Sequence, residues 1–329
     1  MSQMEKGILV ISLDFELFWG VFDKFRFNTY RTNIEGCRSA IPKILEIFQK
    51  YEIHSTWAAI GFLFSESREE LNNNLPQTKP DYKNKFYSSY HYLENVGNNE
   101  QDDPFHFAPS LIKMISIHQN QEIATHTFSH YYCLEEGQDI DTFRADLEAA
   151  INIGKKINNR FQSIVFPRNQ VNHYYLAVCK ENGLKAYRGN EKSWLYAPRN
   201  DQNESLIRRA LRLIDAYINL SGFNTYHIEN NDPNDLVNIP ASRFLRPYSK
   251  LLKIIEPIRL KRILSEMTHA AREKKIFHLW WHPHNFGTNT EKNLQFLENI
   301  LSHFADLREK YSMISLNMAE LANQVLRNQ

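Results

Sequence analysis

Residues 7–16 read Gly-Ile-Leu-Val-Ile-Ser-Leu-Asp-Phe-Glu. The apolar, β-branched run Gly7–Leu13 reads as a buried strand. It ends abruptly on Asp14 and Glu16. Side chains along a strand repeat every two residues, so both carboxylates point to one face at the strand's C-terminal end. Phe15, Leu17, Phe18 and Trp19 make those surroundings unusually apolar. A secretory signal would need a longer apolar region and a small-residue cleavage site. The mature chain is therefore expected to start near Met1 and to work in the cytoplasm. Three widely spaced cysteines, Cys37, Cys133 and Cys179, offer no disulfide framework, which fits a reducing compartment.

From that strand outward, short apolar runs alternate with helix-period segments. Expected strands are Ile53–Ile60, Gln121–Thr125, Ser163–Phe166, Leu184–Tyr187, Ile276–Trp281 and Met313–Leu316. Between them, helices are expected over Ile34–Tyr51, Ser110–Gln119, Asp141–Asn158, His173–Asn182 (with Gly183 as C-cap), Glu204–Leu220, Pro257–Lys274, Thr290–Lys310 and Met318–Leu326. Such alternation argues for a parallel sheet wrapped by helices. About seven units favour an α/β barrel over two nucleotide-binding halves, and no GxGxxG or GxxxxGK[ST] is present. One domain is expected over 1–329, with irregular insertions at about 65–107 and 221–249. The first is Asn-rich and carries Tyr82, Phe86, Tyr87, Tyr90, Tyr92, Phe105 and Phe107, which reads as an ordered lid or pocket wall.

With 39 Lys+Arg against 38 Asp+Glu, the net charge of +1 gives no global pull toward nucleic acid or anionic membrane. No run approaches the ~18 apolar residues of a membrane span.

Three further strand ends carry chemistry. His126-Thr-Phe-Ser-His130 follows the strand Gln121–Thr125, and on one helical turn its i, i+4 histidines would share a face and suit a divalent metal. No glutamate follows His126, so the HExxH protease pattern is excluded. His282-Pro-His284 ends the strand Ile276–Trp281, where a histidine can act as general acid. His278 falls inside that strand and reads as a core residue. Arg168, in Phe166-Pro-Arg-Asn-Gln170, could hold a carboxylate ionised. Two histidines plus one carboxylate make a three-ligand site with an open position, the catalytic zinc pattern.

These residues resemble the polysaccharide deacetylases (carbohydrate esterase family 4, the NodB homology domain). Ser12–Glu16 is similar to the family's first motif, Ser55-Thr-Trp-Ala-Ala-Ile-Gly61 to its ATFFxxG strand, and His126–His130 to its H[ST]xxH metal motif. The likeness spans about Gly7 to Asn317. It implies an α/β fold, a distorted (β/α)7 barrel, and a metal-dependent hydrolase that removes acetyl groups from an acetamido sugar or glycan in cell-surface polysaccharide synthesis. Asp14 would be the general base, His282 the general acid, and Arg168 would orient Asp14. His126, His130 and Glu16 would hold a divalent metal, Zn2+ first. Glu16 is needed because Phe15 stands where many members carry the metal-binding Asp. The oxyanion would meet a backbone N–H near Tyr131 or Tyr132. Trp19, Tyr131, Trp281 and His284 are the substrate-binding candidates. The third motif lacks the family's RxPxG ending, the fourth has two candidates in Arg188 and Trp194, and His284 competes with His282 for the acid role. Two alternatives stand beside this reading: a non-sugar amide hydrolase on the same barrel, and a carbohydrate-binding relative without catalysis.

Overall fold

The computed structural model describes residues 5–200, 205–228 and 235–327. Among these residues the chain forms nine strands: β1 (Ile8–Phe15), β2 (Ser55–Ala59), β3 (Gln121–Thr125), β4 (Ser163–Ile164), β5 (Ala186–Gly189), β6 (Val237–Pro240), β7 (Arg243–Phe244), β8 (Ile276–Trp281) and β9 (Ile314–Ser315). All their pairings are parallel, in the order β6-β5-β4-β3-β2-β1-β8-β7, with β9 added on β1. The two ends of that order are consecutive in the chain. Ala241 N–H donates to Gly189 O (2.8 Å) and Ser242 N–H to His278 O (2.9 Å). Residues 237–244 thus act as one bent strand that leaves β5 and joins β8. Counting it once gives seven positions and a closed, distorted (β/α)7 barrel.

Segment 221–249, expected as an insertion, therefore supplies the closing strand. Its aromatic and Pro-rich pattern hides two short pairings separated by a kink, too brief for periodicity to reveal. Its residues 229–234 lie outside the described residues, as does Glu204 of the expected helix Glu204–Leu220, which is seen as Leu206–Asp215. The first helix starts earlier than expected, at Phe27, and runs to Tyr51 with Pro42 inside.

All eight residues of β1 are buried, as expected for a strand covered on both faces. Leu9, Ile11, Leu13 and Phe15 pack into the large outer core beneath the helices. Ile8 and Val10 point inward, joining Ala58, Ala124, Val165, Ala186, Val237 and Ile239, with Met318, Leu321 and Ala322 of the helix Met318–Arg327 closing that end. At this closed end Glu122 accepts from Thr56 Oγ1 (2.7 Å), Ser163 Oγ (2.6 Å) and Ala319 N–H (3.0 Å). Moving up the interior face of β1, the apolar Ile8 and Val10 give way to Ser12, Asp14 and Glu16. The barrel is thus apolar at its N-terminal end and ionisable at its C-terminal end.

Segment 65–107, expected as an ordered lid or pocket wall, is ordered and packs most of its rings inside, with Tyr82 and Tyr87 against Tyr132. It forms the helices Arg68–Asn73 and Ser89–Tyr92, and Tyr82, Tyr90, Phe105 and Phe107 are buried. Of its aromatic residues, Phe86 is the one that lies largely in solvent.

Candidate active site and metal centre

The C-terminal strand ends bring Asp14, Glu16, His126, His130, Arg188, His282 and His284 into one cluster. Asp14 is held from the far wall. Arg188, the inward residue at the end of β5, donates Nη1–H to Asp14 Oδ1 (2.6 Å) and Nη2–H to Oδ2 (2.7 Å). The same guanidinium donates to Ser12 Oγ (3.0 Å) and Asn169 Oδ1 (2.7 Å), and lies 4.2 Å from the Trp280 ring centroid. Burial pushes the Asp14 pKa up, but Arg188, with smaller help from His126 and His282, outweighs it and holds the carboxyl below its usual value. Ser12 continues the chain to His278, whose Nε2 lies 2.9 Å away, while His278 Nδ1 lies 3.2 Å from Ile239 O. Arg188 can only donate, so Ser12 accepts from it and donates to Nε2; the Nδ1 proton of His278 goes to Ile239.

Arg168 does not orient Asp14. Its residue sits in a left-handed conformation (φ 55°), and its guanidinium pairs with Asp23 while covering the Tyr132 ring at 4.2 Å. The turn after β4 aims it across the rim instead of into the barrel, and Arg188 takes the place expected for it. The other fourth-motif candidate, Trp194, is exposed.

His126 and His130 are not on a helical turn. Residues 126–130 form an irregular loop with left-handed Thr127 (φ 65°) and His130 (φ 61°). The buried Asp146, on the helix Ile140–Lys156, holds it. Its carboxylate accepts from Phe128 N–H (2.7 Å), from Ser129 Oγ and from Tyr90 OH (2.8 Å). His126 is wholly buried and its Nδ1 donates to Val165 O (2.8 Å), leaving Nε2 with no hydrogen-bond partner. That nitrogen lies 3.3 Å from Glu16 Oε2, and His130 Nε2 lies 3.1 Å from the same oxygen.

Glu16 can enter this position because Gly20 faces it. A Cβ at Gly20 would fall on the Glu16 carboxylate. Burial opposes ionisation of Glu16, but His282, His126 and His130 together hold its pKa well below the usual range. Phe15 points the other way, edge-on to Trp57 in the outer core. The ligand atoms of Glu16, His126 and His130 fall within 4.8 Å of one another, and so do those of Glu16, His282 and His284. One carboxylate with a tethered, unpartnered buried imidazole fits a divalent cation.

His282 and His284 stand at the end of β8 with rings stacked, 5.0 Å apart and 17° between planes. His282 Nε2 is 3.7 Å from Asp14 Oδ2 and 3.5 Å from Glu16 Oε1. His284 is more deeply buried, and burial followed by the neighbouring His282 depresses its pKa to about 3.

Three expected substrate contacts lie elsewhere. Trp281 faces outward, stacked on Phe286 and edge-on to Phe48. Trp19 donates Nε1–H to His106 O (2.9 Å) inside the core. The Tyr131 hydroxyl is engaged with Asp139 O (3.1 Å) and Thr142 Oγ1 (2.8 Å). The backbone N–H groups of Tyr131 and Tyr132 already donate to Thr127 Oγ1 and to Tyr82 OH (both 2.8 Å), so neither is a ready oxyanion donor. The aromatic wall is instead Trp280 and Phe244, both partly exposed, with Phe244 5.7 Å from His282. Strand parity carries the signal: 278, 280 and 282 face inward, 277, 279 and 281 outward.

The family described as polysaccharide deacetylase matches residues 34–187, which include the 126–130 loop and stop short of β8. No curated protein matches the chain. Among solved structures, a putative polysaccharide deacetylase from Mycobacterium smegmatis superposes with TM-score 0.62 at 14% identity, over 98% of this chain and 92% of that one. An allantoinase gives TM-score 0.56 at 12% identity, over 97% and 90%. A 4-alpha-glucanotransferase from Thermococcus litoralis gives 0.53 at 10%, over 96% and 40%. These likenesses speak to the barrel. The match to the polysaccharide deacetylase family stands over residues 34–187, and the chain is similar to that family there.

Proposed function

We propose that this protein is a metal-dependent N-deacetylase that hydrolyses the acetamido group of a sugar or glycan. The observation that carries the reading is the joint geometry of two sets of groups at one rim. Asp14 is kept ionised by Arg188, and it stands 3.7 Å from His282 and beside the Glu16–His126–His130 cluster. Glu16, His126 and His130 would hold a divalent cation, Zn2+ first by its preference for imidazole and carboxylate ligands. Such an ion supplies Lewis acidity to the acetyl carbonyl and to water.

The chain's own residues do the proton work. Water adds to the acetyl carbon and the C–N bond breaks, giving acetate and a free amine. Asp14 accepts a proton from the attacking water; both its oxygens keep lone pairs beyond those Arg188 occupies. His282 Nε2–H delivers a proton to the leaving nitrogen. Trp280 and Phe244 offer faces for the apolar side of a sugar ring.

The reading is tested by acetate release from a panel of acetamido sugars, using wild type, chelated protein and Asp14→Asn. Chelator-sensitive acetate release lost in Asp14→Asn is expected. Full turnover by Asp14→Asn would remove the base assignment, and hydrolysis of ureides without acetate release would move the substrate to a non-sugar amide.

A further inference from the structure

Glu16 stands between two histidine pairs, and each of its oxygens faces one of them. Oε2 lies 3.3 Å and 3.1 Å from His126 Nε2 and His130 Nε2. Oε1 lies 3.5 Å from His282 Nε2 and 4.0 Å from His284 Nδ1. A tetrahedral ion with bonds of 2.0–2.1 Å separates its ligand atoms by about 3.4 Å. Both halves approach that spacing. The 4.0 Å separation is too long for a hydrogen bond. His284 is 3% exposed, yet its Nδ1 has no hydrogen-bond partner and is directed at Glu16. A buried, unpartnered imidazole nitrogen facing a carboxylate is satisfied by a cation placed between them, to which the nitrogen offers its lone pair.

We propose that Glu16 is a bridging carboxylate and that a second divalent cation binds between Glu16 Oε1, His282 Nε2 and His284 Nδ1. This rests on the reading above, in which the first ion occupies Glu16, His126 and His130. For His282 to offer Nε2, its proton must sit on Nδ1. The Asn285 amide is 3.4 Å from that nitrogen and, turned so that its oxygen faces the ring, accepts the proton. The second ion binds more weakly than the first. It shares its carboxylate with another cation, and His282 is partly open to water.

The second ion also has a consequence for turnover. It takes the lone pair at Nε2, so His282 no longer delivers a proton to the leaving nitrogen. One ion per chain is therefore the active form, and a second equivalent inhibits.

The test is a Zn2+ titration of chelator-stripped protein against a chromophoric competitor, with elemental analysis after gel filtration in a fixed zinc excess. Melting followed by circular dichroism reports the fold of each variant. Expected are two ions per wild-type chain, the second at least tenfold weaker, and one ion in His284→Asn and in His284→Ala. His126→Asn keeps one weak ion. A wild type that binds one ion at any excess, lost in His126→Asn and kept in His284→Asn, overturns this inference and leaves the hydrolase reading standing. A wild type that binds none overturns both. One ion lost equally in both variants means a single mixed site and also overturns the second site.

Discussion

Arg188 and Asp14, 174 positions apart in sequence, meet through two parallel hydrogen bonds of 2.6 Å and 2.7 Å inside the barrel. The pair is wholly buried, so removing one partner leaves an uncompensated charge. Arg188→Met is expected to cost about 3–5 kcal/mol of stability, read as a urea midpoint shift. Arg188→Lys keeps the charge but loses the fork, so turnover falls while much of the stability returns. Arg168→Lys disturbs the Asp23 pairing and the cover over the Tyr132 ring, and leaves the acid limb of the pH–rate profile in place. If Arg168→Lys moved that limb and Arg188→Lys did not, the assignment of the orienting arginine would be reversed.

Asp146 touches no proposed ligand directly, yet it ties down the loop that carries both His126 and His130. Asp146→Asn keeps the size but removes acceptor strength. Metal affinity is expected to fall by about 10–100-fold, the usual range for groups that orient ligands. Competition with a chromophoric chelator measures it. Unchanged affinity would mean that the two left-handed residues hold the loop unaided.

A pH effect follows from His278. Burial, followed by Arg188, depresses its pKa to about 3, against an ordinary 6.5. The neutral ring is therefore favoured in the folded state. Its contribution is complete above pH 6.5 and is lost as pH falls from there toward 3. The slope is about 1.4 kcal/mol per pH unit. His278→Gln cannot titrate. The stability gap between wild type and variant should narrow as pH drops from 6.5 to 4.5, followed by urea unfolding. A gap constant over that window would show that His278 is protonated in the folded protein.

Much of the barrel was legible because its strands are buried on both faces and stand out as apolar runs; Ile276–Trp281 lies where expected, and the strand expected over Gly7–Leu13 is seen over Ile8–Phe15. The bent strand 237–244 was not, because two pairings of four and two residues carry no period. At the site, the motif residues on β1, after β3 and after β8 come together at one rim. Arg188 was harder to assign, since a lone arginine after a strand has surface exposure as its default reading. Strand parity, counted upward from Ala186 in the barrel floor, would have turned it inward. The same count would have exchanged Trp281 for Trp280. The i, i+4 spacing of the histidines suggested a helix, but the Asp146 carboxylate satisfies the backbone of Phe128 and Ser129 in a way no local pattern shows.

That exchange gives the last prediction. Trp280 is partly exposed beside Arg188 and His282, whereas Trp281 is sealed between Phe48 and Phe286. Trp281→Ala removes a large core side chain and is expected to cost about 3–5 kcal/mol of stability. Its effect on KM in the surviving folded fraction should be small. Trp280→Ala loses a platform for the substrate and a cation–π partner of Arg188, each worth about 1 kcal/mol. It is expected to raise KM for an acetamido sugar about five- to tenfold with a modest fall in Tm. Steady-state kinetics beside thermal melts separates the two. A Trp280→Ala enzyme with unaltered KM would mean that the sugar docks against another wall, with Phe244 as the first residue to replace.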